Sequence, residues 1–328
     1  MKHYDVIIVG GGVAGISALI WLKQLGLNAI LFEKSDVLGG QLHKVHNEII
    51  DYPGLFGLTG RDLLDRLQKH LQAMQCEWLT ETEVVGIENN NAGFVLSTFH
   101  TNKNERKSYA ATYIIVAAGA TERHLGVPGE EQLYSRMGEL STSKSPEIFK
   151  GKKVVIVGGG NRALEGAYRI RNWADSITIV HRHDRFKAKA EYLQPLLKSS
   201  NVRFELFSQI KSIVWDSGLA GVIILNTRTA IEKYEEADYV LIRIGVQSNC
   251  SLLDHLVEID NGCVKTDRWG KTTHDQVYAI GDLSTPPEYS SISLHVGQGM
   301  AAAKNIWLSL SGRSDSVREG ERFNNFIR

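Results

Sequence analysis

The sequence predicts an α/β protein built from two Rossmann-like, three-layer dinucleotide-binding domains. Three observations predict it. An apolar run from Val6 to Val9 breaks into glycines at Gly10, Gly12 and Gly15 and then into a helical pattern. The same order returns at Lys153 to Ala163, with Gly158, Gly160 and Ala163 at the same spacing. Later apolar strands, Tyr113 to Gly119 and Tyr239 to Gly245, each run into a glycine.

Taken in order, Gly10 allows the tight turn out of the first strand. Gly12 lets backbone approach a pyrophosphate, and Gly15 lets the helix pack close to the sheet. The helix start offers free N–H groups and a partial positive charge to phosphates. Its pattern, Ala14, Ala18, Leu19, Leu22 and Leu25, stops at Gly26. A second apolar run, Ala29 to Phe32, ends on Glu33, an acid placed to accept a ribose hydroxyl. Gly39, Gly40 and Gln41 form a turn where backbone can meet a ligand, and Asp51 to Gly54 form another. Leu63, Leu64, Leu67, Leu71 and Met74 give one face of an amphipathic helix. Strands are expected at Cys76 to Leu79, Glu83 to Ile87 and Phe94 to Thr98, with a polar hairpin tip at Asn102 to Lys107.

In the second unit, Gly158, Gly160, Asn161 and Ala163 make the candidate pyrophosphate turn. Its second strand, Ser176 to Val180, ends in a basic run, His181 to Lys187, where an acid would otherwise stand. A carboxylate there would repel a ribose 2′-phosphate, whereas Arg and Lys attract it. The chain therefore reads as holding FAD at the first site and NADPH at the second. Near the C-terminal end, Gln276 to Ala279 is a strand running into Gly281 and Asp282, whose carboxylate can hold a flavin ribityl hydroxyl. Ser290 to Ser311 reads as a helix begun by the small residues Gly297, Gly299 and Ala301 to Ala303. Its N-terminus beside a flavin would stabilise negative charge on the reduced ring.

Composition narrows the function. The 328 residues are 43% hydrophobic and 23% charged, which is globular composition with ample core for about two domains. Thirty-seven basic against 37 acidic residues point to neither nucleic acid nor a membrane surface. No apolar run reaches the ~18 residues of a membrane span, and the N-terminus enters a strand at once, with no signal peptide expected. Three cysteines, Cys76, Cys250 and Cys263, make no paired framework, so a cytoplasmic, thiol-reduced protein is expected.

Over nearly its whole length the chain resembles the low-molecular-weight thioredoxin reductase family. The resemblance rests on both glycine turns, Gly39 to Leu42, Tyr52 to Gly54, Ala117 to Gly119, His181 to Ala188, and Gly281 with Asp282. It implies an NADPH domain (122–245) inserted in an FAD domain (1–121 and 246–328), and a homodimer. It places Gln41 and Asp51 near the isoalloxazine, Ser291 at its pyrimidine edge, and Arg182, His183 and Lys187 on the 2′-phosphate.

One departure redirects the function. Where that family carries Cys-x-x-Cys-Asp, the gap-free count reaches Ser141, Thr142, Ser143, Lys144 and Ser145, and no Cys-x-x-Cys exists anywhere in the chain. A dithiol relay cannot operate at that site. Asp51 stands for the family's Asn, and Ser290-Ser291 for its Arg-Gln. A related group without the dithiol, the ferredoxin/flavodoxin–NADP reductases of thioredoxin-reductase type, passes electrons singly to an iron–sulfur or flavin protein. The leading expectation is therefore an NADPH-dependent FAD reductase of ferredoxin or flavodoxin. No side-chain acid or base is assigned, and Asp51 and His295 read as structural or flavin-contacting. A reductase of a small disulfide or other oxidant, direct or through Cys250 and Cys263, is the second reading. A non-catalytic FAD-binding sensor or docking module is the third. Arg162 and Arg243 are bulky charged residues near the expected NADPH path, and Phe323 and Phe326 are the aromatic candidates for stacking on flavin.

Overall fold

The computed structural model describes residues 1–90, 93–137 and 140–312, so Phe323 and Phe326 lie outside the described residues. The chain divides into two compact units: Met1–Thr121 with the segment from Ser248 onward, and Glu122–Gln247.

The first unit opens with β1 (His3–Val9), α1 (Val13–Gln24) and β2 (Ala29–Phe32). It continues through α2 (Gly60–Ala73), β3 (Glu77–Leu79), β4 (Thr82–Asn90), β5 (Gly93–His100) and β6 (Glu105–Val116). The strands line up as β3-β2-β1-β6-β5-β4. β1 pairs in parallel with both β2 and β6, which explains its unbroken apolar run: a parallel strand is covered on both faces. Its residues alternate between two cores, Val6 and Ile8 on the helix side, Ile7 and Val9 on the other. β6 is long enough to serve three partners, pairing antiparallel with β5 at its start and parallel with β1 and the later strand Val277–Ala279 at its end. The polar tip is shorter than the composition of Asn102 to Lys107 suggests. Arg106 and Lys107 join the ladder opposite Phe99 and Thr98, with their side chains exposed.

β7 (Ala120–Glu122) leads out, and the second unit follows with α3 (Glu130–Met137), β8 (Lys153–Val157), α4 (Asn161–Ile170), β9 (Ser176–His181), α5 (Ala190–Leu197) and β10 (Val202–Leu206). Next come β11 (Ser208–Asp216), β12 (Gly218–Asn226), β13 (Glu232–Glu236) and β14 (Tyr239–Ile242). A parallel sheet, β10-β9-β8-β14, is covered on one face by α4 and α5 and on the other by the antiparallel sheet β11-β12-β13. Val154 and Ile156 face the helices, and Val155 and Val157 face the antiparallel sheet. These are the three layers.

β15 (Val246–Ser248) pairs with β7, so the outgoing and returning chain run side by side. After β16 (Ile259–Asp260) and β17 (Cys263–Val264), β18 (Val277–Ala279) adds in parallel to β6 of the first sheet. α6 (Ile292–Leu310) then packs on α1. Its small residues lie along its middle, not at its start as the sequence suggests. Ser291 caps the helix by accepting the Leu294 N–H at 3.2 Å, and a Cβ on Gly299 would come within 2.6 Å of the Ala14 carbonyl oxygen. Gly299 is there because two helix backbones pass close together. Ser17 seals the contact with a hydrogen bond to the Val296 carbonyl at 2.7 Å.

Candidate functional sites on two glycine turns

Gly10 has φ +108°, and a Cβ there would press into the Ala117 carbonyl. A side chain on Gly15 would collide with the Gly10 carbonyl. Gly12 differs: it is extended, and a Cβ would meet nothing within 4 Å. It caps α1 with no side-chain bond and no acid in the first turn. By contrast, Thr59 and Asp62 close a reciprocal capping box on α2. The α1 start thus leaves backbone donors and open space for an outside acceptor, and a pyrophosphate fits that description.

Glu33 follows β2 and is only 8% exposed. Its carboxylate accepts the Gly11 N–H at 2.6 Å and the Ser35 N–H at 2.8 Å. Each oxygen keeps a lone pair for a ribose hydroxyl. The acid therefore also braces the glycine turn, a role that its position after a strand does not announce.

Around this turn the same unit gathers Gly40, Gln41, Gly281 and Asp282. The Gly39 N–H donates to the Gly11 carbonyl at 2.8 Å, and a Cβ on Gly40 would be 3.3 Å from the Gly12 Cα. Gln41 Nε2 donates to Asp282 Oδ2 at 2.9 Å, and Ser290 Oγ to Oδ1 at 2.5 Å. Gly281 takes φ +74° and donates its N–H to Gln298 Oε1 at 2.9 Å. His295 is 7% exposed, with its Nε2 unbonded and 3.6 Å from Asp282 Oδ1. Burial pulls the His295 pKa down, and the Asp282 charge opposes that pull. Gln298 gives no signal in the sequence, and Ser290 stands out there only as a departure from the family's Arg-Gln. Gly119, at φ +65°, accepts the Asn249 N–H at 3.0 Å. Asp51 is exposed and joins α6 through its carbonyl, which accepts Ser293 Oγ at 3.1 Å. Ser291 spends its hydroxyl on capping.

The second turn repeats the first in its own unit. Gly158 has φ +138° and packs against the Arg243 carbonyl, Ala163 is fully buried, and Gly160 opens on free space as the uncapped start of α4. Asn161 Oδ1 accepts the Lys189 N–H at 2.8 Å and Gly159 the Lys187 N–H at 3.0 Å, so the basic loop is tied to the turn. His181 lies under Gly159 and stacks on Phe186 with ring centroids 5.1 Å apart. Burial lowers its pKa, and neighbouring cations add to that. Arg182, His183 and Lys187 are exposed. The chemistry of this donor set suits a phosphate. Arg162 and Arg243 both turn to Glu122, at 2.8 and 3.9 Å, and Arg243 also bonds the Leu140 carbonyl at 2.7 Å.

Where a dithiol would stand, Ser141 Oγ lies 3.4 Å from Ser143 Oγ and accepts the Lys144 N–H at 3.2 Å. All three cysteines are free and partly buried. Among the described residues no cluster suits a metal ion, and no helix is long and apolar enough to cross a membrane.

Residues 4–303 match the family model described as pyridine nucleotide-disulphide oxidoreductase. A thioredoxin reductase of Mycolicibacterium smegmatis is 31% identical over 325 residues, covering 93% of this chain and 97% of its own. A 34.2 kDa protein in the rubredoxin operon of Clostridium pasteurianum is 28% identical over 283 residues, covering 86% of this chain and 89% of its own. The crystal structure of T. acidophilum thioredoxin reductase is similar at a TM-score of 0.78 and 28% identity, covering 95% of this chain and 100% of that one.

Proposed function

The chain belongs to the pyridine nucleotide-disulphide oxidoreductase family, and from that premise we propose that it passes electrons from NADPH through FAD to ferredoxin or flavodoxin, without a redox dithiol. FAD and NADPH are the cofactors of this oxidoreductase. In this reading residues 1–121 and 246–328 hold FAD and 122–245 hold NADPH, in a cytoplasmic homodimer.

Bound FAD supplies the redox chemistry, taking a hydride equivalent and releasing electrons singly. The protein supplies binding and orientation. The open starts of α1 and α4 receive pyrophosphates, and Glu33 receives a ribose hydroxyl. Asp282, held by Gln41 and Ser290, orients the ribityl chain. Arg182, His183 and Lys187 receive the 2′-phosphate, where a charge-assisted bond is worth about 1.5–3 kcal/mol.

The observation that carries the reading is the run Ser141 to Ser145. A serine hydroxyl forms no disulfide, so electrons leaving FAD have no dithiol to cross at that position. A steady-state screen tests it, with NADPH or NADH against ferredoxin, flavodoxin, thioredoxin and a small disulfide. Turnover of the first two with NADPH, and none of the others, is expected. Thiol-dependent turnover of thioredoxin would overturn the reading. The second reading, a small-disulfide reductase, draws support from the thioredoxin reductases among its relatives and from the closeness of Cys250 to Cys263.

A further inference from the structure

We infer that Cys250 and Cys263 form a reversible internal disulfide, and that its closure loosens the Gly281–Asp282 turn. Each sulfur lies against the chain that carries the other. Cys250 Sγ donates to the Gly262 carbonyl at 3.6 Å, and Cys263 Sγ lies 3.6 Å from Ser248 Oγ. Gly262 precedes Cys263, so the Cys250 sulfur touches the peptide group that leads into Cys263. Standard peptide dimensions then put it within roughly 6 Å of the Cys263 Cα. A modest approach by one thiol reaches bonding distance. The carriers can yield: Cys250 begins a single 3-10 turn, and Cys263 sits on a two-residue strand. Both residues are partly exposed, so a small disulfide can reach them.

The two thiol hydrogens are in use. Ser248 has one hydroxyl hydrogen and donates it to the Asp282 carbonyl at 2.7 Å. At the Cys263 contact the thiol is therefore the donor, which makes a chain from Cys263 through Ser248 to Asp282. Such chains strengthen each member. Oxidation removes that first donor, together with the Cys250 bond to Gly262. Between them, Asn249 fastens the same segment to the end of β6, donating from its side chain to the Ala118 carbonyl at 2.8 Å and from its N–H to Gly119 at 3.0 Å. The thiol pair thus grips two turns that line the first glycine site.

The reaction balances with a low-molecular-weight disulfide as oxidant. One protein thiolate attacks the small disulfide and expels one small thiolate. The second protein thiol then attacks the mixed disulfide and expels the other. Two S–H bonds and one S–S bond are exchanged for the same set, the protein losing two electrons and the small disulfide gaining them. Burial, with Cys263 alongside, pushes the Cys250 thiol up, so closure quickens as pH rises.

The disulfide stands on geometry alone, while its effect on FAD rests on the reading of Asp282 as a ribityl contact. The holoenzyme is equilibrated with oxidised or reduced glutathione, digested without reductant and analysed for a 250–263 linked peptide. FAD release is followed by fluorescence in parallel. The linked peptide is expected in the oxidised wild type and in neither Cys250→Ser nor Cys263→Ser. FAD release is expected to be about fivefold faster on oxidation, the worth of one net hydrogen bond. Glutathione adducts without the linkage overturn the disulfide. Linkage without faster release overturns the coupling if Asp282→Ala speeds release. If Asp282→Ala leaves release unchanged, the Asp282 assignment fails and the coupling with it.

Discussion

A buried imidazole with an unbonded nitrogen is an uncommon expense, and His295 carries one in the second turn of α6. Asp282, the charged neighbour 3.6 Å away, opposes the burial that drives its pKa down, while Ser290 and Gln41 bond that acid as neutral partners. The sign follows. A histidine held neutral by burial contributes fully above its ordinary 6.5, and the contribution is lost as pH falls from there, because the unfolded chain takes the proton first. Thermal melting of the holoenzyme should therefore fall more between pH 7.5 and 5.5 for wild type than for His295→Gln. Equal falls would mean that the Asp282 charge offsets burial and leaves the imidazole pKa at its ordinary value. Residues of this kind show how far sequence reaches at this scale. Glu33 was legible as a carboxylate at a strand end, but its two bonds to Gly11 and Ser35 were not, since they depend on how the chain folds back. Glu122 gives no signal in sequence, although both Arg162 and Arg243 turn to it from far along the chain.

At the scale of elements, four helix starts divide into two kinds. α2 and α6 are closed by Thr59 and Ser291, whereas α1 and α4 begin on bare Gly12 and Gly160. Gly12→Ala is therefore an informative change. The site has room, its φ of −72° suits alanine, and the fold should lose at most about 1 kcal/mol. FAD retention should nevertheless drop, because the new methyl occupies the space left for the pyrophosphate. Native retention with native melting would place the pyrophosphate elsewhere. Gly10→Ala should instead fail at the fold, through its positive φ and the Ala117 carbonyl. In the second unit, Arg182→Ala and Lys187→Ala should each raise KM for NADPH about tenfold or more and leave that for NADH little changed, as loss of a charge-assisted phosphate bond requires. An enzyme that prefers NADH would contradict this. Both glycine turns were legible because only glycine tolerates these angles and approaches. The start of α6 was misread because Gly299 serves helix packing from its middle, and a cap at Ser291 looks like any other serine.

For the whole molecule the question is where electrons go after FAD, and the thiol inventory bears on it directly. A protein-disulfide reductase needs a thiolate to attack and a partner thiol to resolve the mixed disulfide. Cys76 follows α2, and burial raises its pKa; Cys250 is raised as well, by burial and by Cys263. Thiols held up in this way are slow nucleophiles at neutral pH. Such a pair can equilibrate with a pool of small disulfides, but it is poorly suited to turning over with every catalytic cycle. A variant with Cys76→Ser, Cys250→Ser and Cys263→Ser should therefore keep FAD and keep NADPH-driven reduction of a one-electron acceptor at close to the wild-type rate. A displaced relay makes the opposite demand, since disulfide reduction by wild type would then vanish in the variant while NADPH still bleached the flavin. Rates with ferredoxin, flavodoxin and a small disulfide, measured on both proteins beside anaerobic flavin bleaching, separate the two. An unbleached flavin in wild type would exclude both and leave the chain as an FAD-binding module.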